Sequence, residues 1–411
     1  MINPYPIMKK ILLLITCTCC SLAAWAEQQI PGGKSQQPPL FPIELREEFP
    51  EAEQTFAEVK SRLLKHYYSD RLSEDALYYA AIQGMLRHVS PPSNKNLAQL
   101  WSPSQYRTFA DVLQGVQTAI GLRLSLNQGD GSLTVQQISP NSPAEGQFAV
   151  HDRILRINGE PLRGKNHAGI NQMLAGDIGT PITFTVVRDI EVFDITLTRR
   201  QFHVQNLSVK ILDNLAYLTI KNVADNTAQE LASTLSQLHK EGVNQLVIDL
   251  RNNGGGDFFE GLRMAESLLP KDDVILRILQ QDQHIQNYVS TNAEAPAFEM
   301  IILVNQNTAS SAEIFAAALR DHNKARLVGT RTHGKATVEG TYSLKNGYYA
   351  KFIIAAMYSP RGQSWHGKGL LPDYFIESDA SRIDKLRALP LQQQLAADLQ
   401  LATAWNLLKG K

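Results

Sequence analysis

The chain has 411 residues, 43% of them hydrophobic and 19% charged, which is ordinary globular composition and too much chain for one small core. Lys+Arg and Asp+Glu are equal at 40 each, so there is no basic surplus to hold nucleic acid or an anionic membrane surface. Two or three domains are expected.

At the N-terminus Lys9-Lys10 precede the apolar run "ILLLITCTCCSLAAWA", which closes on Ala24-Trp25-Ala26. This is the three-part layout of a secretory signal peptide over residues 1–26, with cleavage expected after Ala26 and Met8 as an alternative start. All three cysteines, Cys17, Cys19 and Cys20, lie inside it, so the mature chain is expected to hold no thiol, disulfide or Cys-ligated metal. Lipid attachment at Cys17 is disfavoured because Thr16 departs from the small residue such a site prefers. No later window offers the ~20 uninterrupted apolar residues of a membrane span. The chain is therefore read as exported, to the periplasm.

Residues 27–42, rich in Gln, Pro and Gly, read as a flexible leader. From 43 to 107 the pattern is helical: Phe56, Val59, Leu63 and Leu64 recur at helical spacing, as do the apolar residues of "EDALYYAAIQGMLRHV", until Pro91 and Pro92 interrupt. Residues 108–200 are β-rich, with "IGLRLSL", "SLTVQQI", "TPITFTVVRD" and "VFDITLTRR" around one helix, "HAGINQMLA", which predicts a small separate module. From 201 to 378 the apolar runs "LAYLTI", "QLVIDL" and "MIILVN" alternate with helical stretches, the β-α-β signature of a layered α/β domain. Residues 379–411 read as a C-terminal helical segment.

Two places invite chemistry. "LVIDLRNNGGGDF" puts a buried strand directly before three glycines, which fits an oxyanion hole, a phosphate nest or only a tight turn. "NTASSAEIFAAAL" raises Ser310. With Glu313 it matches the S-x-x-E capping box, a helix start contributing ~1 kcal/mol, yet a nucleophile there would gain from the positive helix end. His322, His333 and His366 follow but form no recognisable triad, whereas Lys335, among small and β-branched residues in "THGKATVEG", sits where a neutral amine able to serve as a base could be favoured.

Taken together, "LVIDLRNNGGG", "LVNQNTASSAEIFAAALRDH", "RLVGTRTHGKATVEG" and "YSPRGQSWHGKGLLPD" resemble, in order and spacing, the C-terminal processing peptidases, or tail-specific proteases. The β-rich module resembles their embedded PDZ domain. The resemblance implies a multidomain α/β chain: a helical N-terminal region, the PDZ-like domain, a layered α/β (ClpP/crotonase-like) protease core and a helical C-terminal segment. In the family the nucleophile is the third residue of S-A-S-A-S-E and the base lysine follows 25 residues later, which maps onto Ser310 and Lys335. It further implies oxyanion donors from Ser311 and from Gly255 or Gly256. A substrate's terminal carboxylate would be held at Ala119, Ile120, Gly121 and Leu122, with apolar contacts from Ile170, Met173 or Leu174. Arg188 is implied as a contact to the protease domain.

One departure stands out. Glu339 occupies the place of the family's Gln, four residues after the lysine, and a carboxylate there favours the ammonium form of Lys335 unless it is protonated or turned away. Ala336 replaces the second glycine of G-K-G, Ser90 stands where Asp is favoured, and His151 replaces the glycine before Asp152. The expected function is a serine endopeptidase, with no cofactor and no metal, acting on proteins or peptides with accessible C-terminal tails; an adaptor protein and a homo-oligomer are further candidate partners. The rivals are a binding protein of this fold without turnover and, against the PDZ-like insertion, a crotonase-type acyl-CoA enzyme.

Overall fold

The structure is a computed structural model that describes residues 48–410 except 70, 91–96, 114, 115, 128, 204 and 205. The expected signal peptide, the leader, Cys17 and the Pro91-Pro92 break lie outside the described residues. Two compact units result. One holds the described residues up to Arg107 with Asp272–Ser290 and Gly334–Leu370; the other holds Thr108–Lys271, Thr291–His333 and the residues from Leu371 onward.

In the first unit two helices, Ala52–His66 and Glu74–His88, occupy the stretch whose apolar residues recur at helical spacing. Ser73 starts the second by accepting a hydrogen bond from the Ala76 N–H at 3.2 Å. The rest is a five-stranded antiparallel sheet in the order Gln99–Trp101, Tyr349–Tyr358, Val274–Gln280, Ile285–Val289, with Thr337–Ser343 also paired to Tyr349–Tyr358. Asn346-Gly347 turns the last hairpin, Gly347 taking φ 83° as a tight hairpin turn requires. The stretch 201–378 thus supplies two sheets where one layered domain was expected. Its two hairpins leave the β-α-β rhythm and pair with each other, Tyr349–Tyr358 also taking Gln99–Trp101, instead of joining the parallel strands.

In the second unit the PDZ-like module has the sheet order Leu122–Leu126, Leu133–Ile138, Arg153–Ile157, Pro181–Arg188, Glu191–Thr198, with the helix His167–Leu174. Its core is Val135, Ile154, Ile157, Leu162, Ile182, Phe184 and Val186 with their neighbours. Leu122–Leu126 is an edge strand, so one side of its backbone is open to pairing.

The second sheet of this unit has the order Leu207–Leu212, Leu215–Ile220, Gln245–Asp249, Glu299–Val304, Ala325–Gly329, Tyr374–Phe375, and all neighbours except the first pair run parallel. Leu215–Ile220 is buried along its whole length, as a strand covered on both faces must be. One face packs Tyr217, Val247 and Ile301 against Leu401, Ala404 and Leu408 of the C-terminal helix Leu399–Leu408. A buried charge network reinforces this contact. Arg251 Nη2 lies 2.8 Å from Asp249 Oδ2 and 2.7 Å from Asp398 Oδ2, and Arg387 adds a second guanidinium 2.9 Å from Asp249. Burial opposes the charge on Asp249, but the two arginines outweigh it and hold this carboxyl well below the usual range.

Candidate active site

Asp249 and Leu303 are register partners on adjacent parallel strands, so the glycine loop and the Ser310 turn leave the same sheet edge side by side. An ideal Cβ on Gly255 would lie 2.6 Å from the Ala309 carbonyl oxygen, 2.8 Å from Ser310 Cβ and 3.0 Å from the Ser311 nitrogen. With φ at +85° as well, only glycine fits there. Asn253 ties the two segments together from a buried position: its Nδ2 donates to the Ile220 carbonyl, its Oδ1 accepts from the Gly255 N–H and its carbonyl accepts from the Ala309 N–H, each at 2.9 Å.

Ser310 precedes the helix Ser311–Asp321 with φ 57° and ψ −123°. A helix cap ordinarily takes extended backbone. This conformation is instead one that L-residues avoid, with a cost of ~1–3 kcal/mol. Glu313, buried one turn on, accepts from the Ser310 N–H through Oε2 at 2.9 Å and from the Thr332 hydroxyl through Oε1 at 2.5 Å. The His333 N–H donates to the Thr308 carbonyl at 2.9 Å, so Thr332 and His333 are both fastened to the Ser310 turn.

The adjacent serines differ. Ser311 is 1% exposed and its Oγ is buried without a hydrogen-bond partner, whereas Ser310 is partly exposed. The Ser311 N–H belongs to the first helical turn, whose amides lack intrahelical acceptors. Of the loop glycines expected as oxyanion donors, Gly255 lies against Ser310 but its N–H is engaged by Asn253. Gly256 cannot carry a side chain either, since an added Cβ would come within 1.9 Å of the Val223 carbonyl.

Lys335 belongs to the other unit. Gly334, at φ +88°, packs against the Trp365–Gly369 backbone, an added Cβ coming within 2.7 Å of the Gly369 nitrogen. Lys335 Nζ forms an ion pair with Glu339 Oε2 at 2.8 Å, so the carboxylate is not turned away. Glu339 Oε1 accepts from the Thr337 hydroxyl at 3.1 Å, so both carboxyl oxygens are engaged. The two side chains are 26% and 14% exposed. Burial pushes His366 below its ordinary range against the pull of Glu339, and its Nδ1 faces the Ala336 N–H at 3.4 Å. Lys351 is also pushed down by burial, with Glu339 acting to raise it and Lys335 to lower it.

In the PDZ-like module Gly121, at φ 81°, leaves no room for a side chain beside Ser142. The Ile120 and Gly121 carbonyls accept from Ala144 and Ser139 at 3.0 and 2.8 Å, which fixes the turn into the edge strand. Ala119 pairs with Arg200 on a separate two-stranded ladder. Ile170 is 4% exposed and sits in the core, while Met173 and Leu174 are only partly buried against it. Arg188, expected as a contact to the protease domain, is engaged inside the module. Its guanidinium pairs with buried Asp152 through two bonds of 2.8 and 2.7 Å and donates to the Gln147 carbonyl at 3.1 Å, all within the module, because a buried carboxylate demands a partner. His151 adopts φ 77°, the backbone of the glycine it replaces.

Sequence reasoning passed over Asn253, Thr332 and Lys351. The first lay in plain view beside the glycines; the other two act through partners 19 and 12 positions away, which local pattern does not reveal.

Residues 214–376 match the profile of peptidase family S41, and residues 118–198 that of the PDZ domain. The chain belongs to the C-terminal processing peptidase family, with an embedded PDZ domain. Among similar proteins, a "Probable CtpA-like serine protease" of Staphylococcus haemolyticus is 30% identical over 336 residues, covering 81% of this chain and 66% of that protein. One of the same name from Staphylococcus saprophyticus is 29% identical, covering 82% and 67%. The chain thus spans about two thirds of the length of these relatives. The solved structure of a "Putative S41 protease" from Bacteroides fragilis aligns with a TM-score of 0.58 at 17% identity, over 89% of this chain and 99% of that one, a likeness of fold. Among the described residues no helix is long and apolar enough to cross a membrane.

Proposed function

We propose that the chain is an exported serine endopeptidase of the periplasm that takes proteins by their C-terminal tails, with Ser310 as nucleophile and Lys335 as base. The backbone of Ser310 carries the reading: φ 57°, ψ −123° at a helix N-terminus is a strained conformation that a cap alone does not call for, and such strain gathers at active sites, as at the serine of a nucleophile elbow. The Lys335 amine, when uncharged, takes the Ser310 proton as Oγ attacks the scissile carbonyl. The oxyanion that forms is stabilised by the Ser311 N–H and by the loop at Gly255 or Gly256. Gly255 donates there on leaving Asn253 Oδ1. The proton then passes to the leaving amine, and water hydrolyses the acyl-serine.

The tail would bind as an added strand on Leu122–Leu126, its carboxylate on the amides of the Ala119–Leu122 turn, with Met173 and Leu174 beside it. Glu339 is the third member of the site, and an adaptor and self-association remain candidate features of the complete system. The deciding experiment incubates the purified chain from Glu27 onward with an unfolded protein, beside its Ser310→Ala variant. Cleavage by the parent alone supports the reading; tail binding with no cleavage by either favours a scaffold, the reading that the Lys335–Glu339 ion pair keeps in play.

A further inference from the structure

The Lys335–Glu339 pair poses a problem of charge. A base at Lys335 must be uncharged when it accepts the serine proton, and at that moment Glu339, 14% exposed and bonded to Thr337, is a carboxylate that has lost its ion-pair partner. An uncompensated, mostly buried anion is costly, so the pair by itself holds the proton on Lys335.

The sheet supplies a second cation. Glu339 is opposite Ile353 and Thr341 is opposite Lys351, so Glu339 and Lys351 are diagonal neighbours on one face of an antiparallel pair, within reach of long side chains. On its other side Lys351 is opposite Gln99, and its Nζ lies 5.0 Å from the ring centre of Trp101, which keeps the stem on that face. Lys335, Lys351 and His366 all interact with Glu339, and burial keeps His366 toward its neutral form.

We propose that Lys351 is a positioning residue for the Lys335 amine: its ammonium is the counter-charge that neutralises Glu339 whenever Lys335 is the free base. Burial works against the charge on Lys351, so the device operates at pH values where that amine still holds its proton: there the reactive state is a neutral Lys335 amine with the charges of Glu339 and Lys351 cancelling. The same charge also repels an ammonium at Lys335. Glu339 is thereby compatible with a lysine base in this chain, where a carboxylate alone would oppose it. The inference rests on Lys335 acting as the base.

The test reads Lys335 directly. Only free amines are methylated by formaldehyde and borohydride, so the extent of reductive methylation of the Lys335 peptide, followed by mass spectrometry from pH 6 to 11 on the full chain, gives the pH of half-reaction without any need for cleavage. Lys351→Met is expected to raise that pH by about 0.5 to 1, the scale for removing one nearby like charge under partial solvent screening. Lys351→Arg, which keeps the charge, should restore the parental value. Lys351→Gln serves if the methionine variant does not fold. An unchanged or lowered half-reaction pH in Lys351→Met or Lys351→Gln overturns the proposal. The acid limb of kcat/KM should move with the labelling curve. A displaced labelling curve with no matching kinetic change upholds the coupling and removes Lys335 as the base, which separates the two claims.

Discussion

Ser310→Gly should make the protein more stable and inactive at once. At φ 57° and ψ −123° any side chain with a Cβ is strained, by ~1–3 kcal/mol, and glycine is not. Against that gain stand the extra freedom of glycine in the unfolded chain, ~0.4–1 kcal/mol, and a few tenths of a kcal/mol for the cap. At the middle of these ranges the balance is a stabilisation of ~1 kcal/mol, or roughly 2–4 °C in the melting of the unit that carries Ser310, if that unit follows the ~2–4 °C per kcal/mol of mid-sized domains. Ser310→Ala keeps the Cβ and therefore the strain, and should melt at or slightly below the parent. Calorimetry on the three proteins, with cleavage of an unfolded substrate on the same preparations, gives both readouts. If Ser310 is only a cap, the order reverses relative to the parent: alanine loses ~1 kcal/mol, glycine loses a few tenths, and neither exceeds it. A glycine variant no more stable than the parent refutes the argument from strain.

Glu339→Gln removes the carboxylate 2.8 Å from Lys335, which favours the free amine; on the acid side kcat/KM should then rise, by up to ~10-fold if the lysine titrates one pH unit lower, and an unchanged pH profile would detach Glu339 from the base. Amidating the C-terminus of a peptide ligand should weaken its binding to the PDZ domain about 10-fold or more, the scale of a lost charge-assisted hydrogen bond, and equal affinity for acid and amide in a titration would exclude carboxylate recognition. Asp249→Asn leaves Arg251 and Arg387 short of an anion and should cost ~3–5 kcal/mol by denaturant unfolding at neutral pH. Because Asp249 ionises lower in the folded chain than unfolded, its contribution is whole above about pH 4 and is lost as pH falls toward the folded value, so the gap to the parent should be flat from pH 8 to 5 and close only in stronger acid. A gap that closes already between pH 7 and 5 would contradict this.

Much of the site was legible because its parts are local. Three glycines after a buried strand, and a serine after another, announce themselves in any strand-loop-helix segment, and the distance from Ser310 to Lys335 is a count along the chain. What could not be read is set by register and by backbone angles. Ser310 and Glu313 satisfy the spacing of a helix cap, and nothing in the letters distinguishes an extended cap from a turn at φ 57°. The second sheet was missed because Tyr349–Tyr358 pairs with Gln99–Trp101 and with Val274–Gln280, partners far away in the chain that hydrophobic rhythm does not encode. The nearness of Lys351 to Glu339 depends on an irregular register between Val338 and Glu339, and a slip of one residue would send a side chain to the opposite face.

A conformation as unfavourable as that of Ser310 persists only where its surroundings determine it several times over. Here they do so from independent directions. Glu313 holds the Ser310 N–H, Asn253 holds the residue before it, and Gly255 fills the space beside its Cβ so closely that no other residue could stand there. Each of these groups is also tied elsewhere: Glu313 to Thr332, Asn253 to the end of the strand Leu215–Ile220, and the glycine loop to Val223. The strain is therefore borne by the parallel sheet and not by the turn alone. Loosening any one anchor, as Thr332→Val would, should disturb catalysis through the angle of the serine before it disturbs global stability.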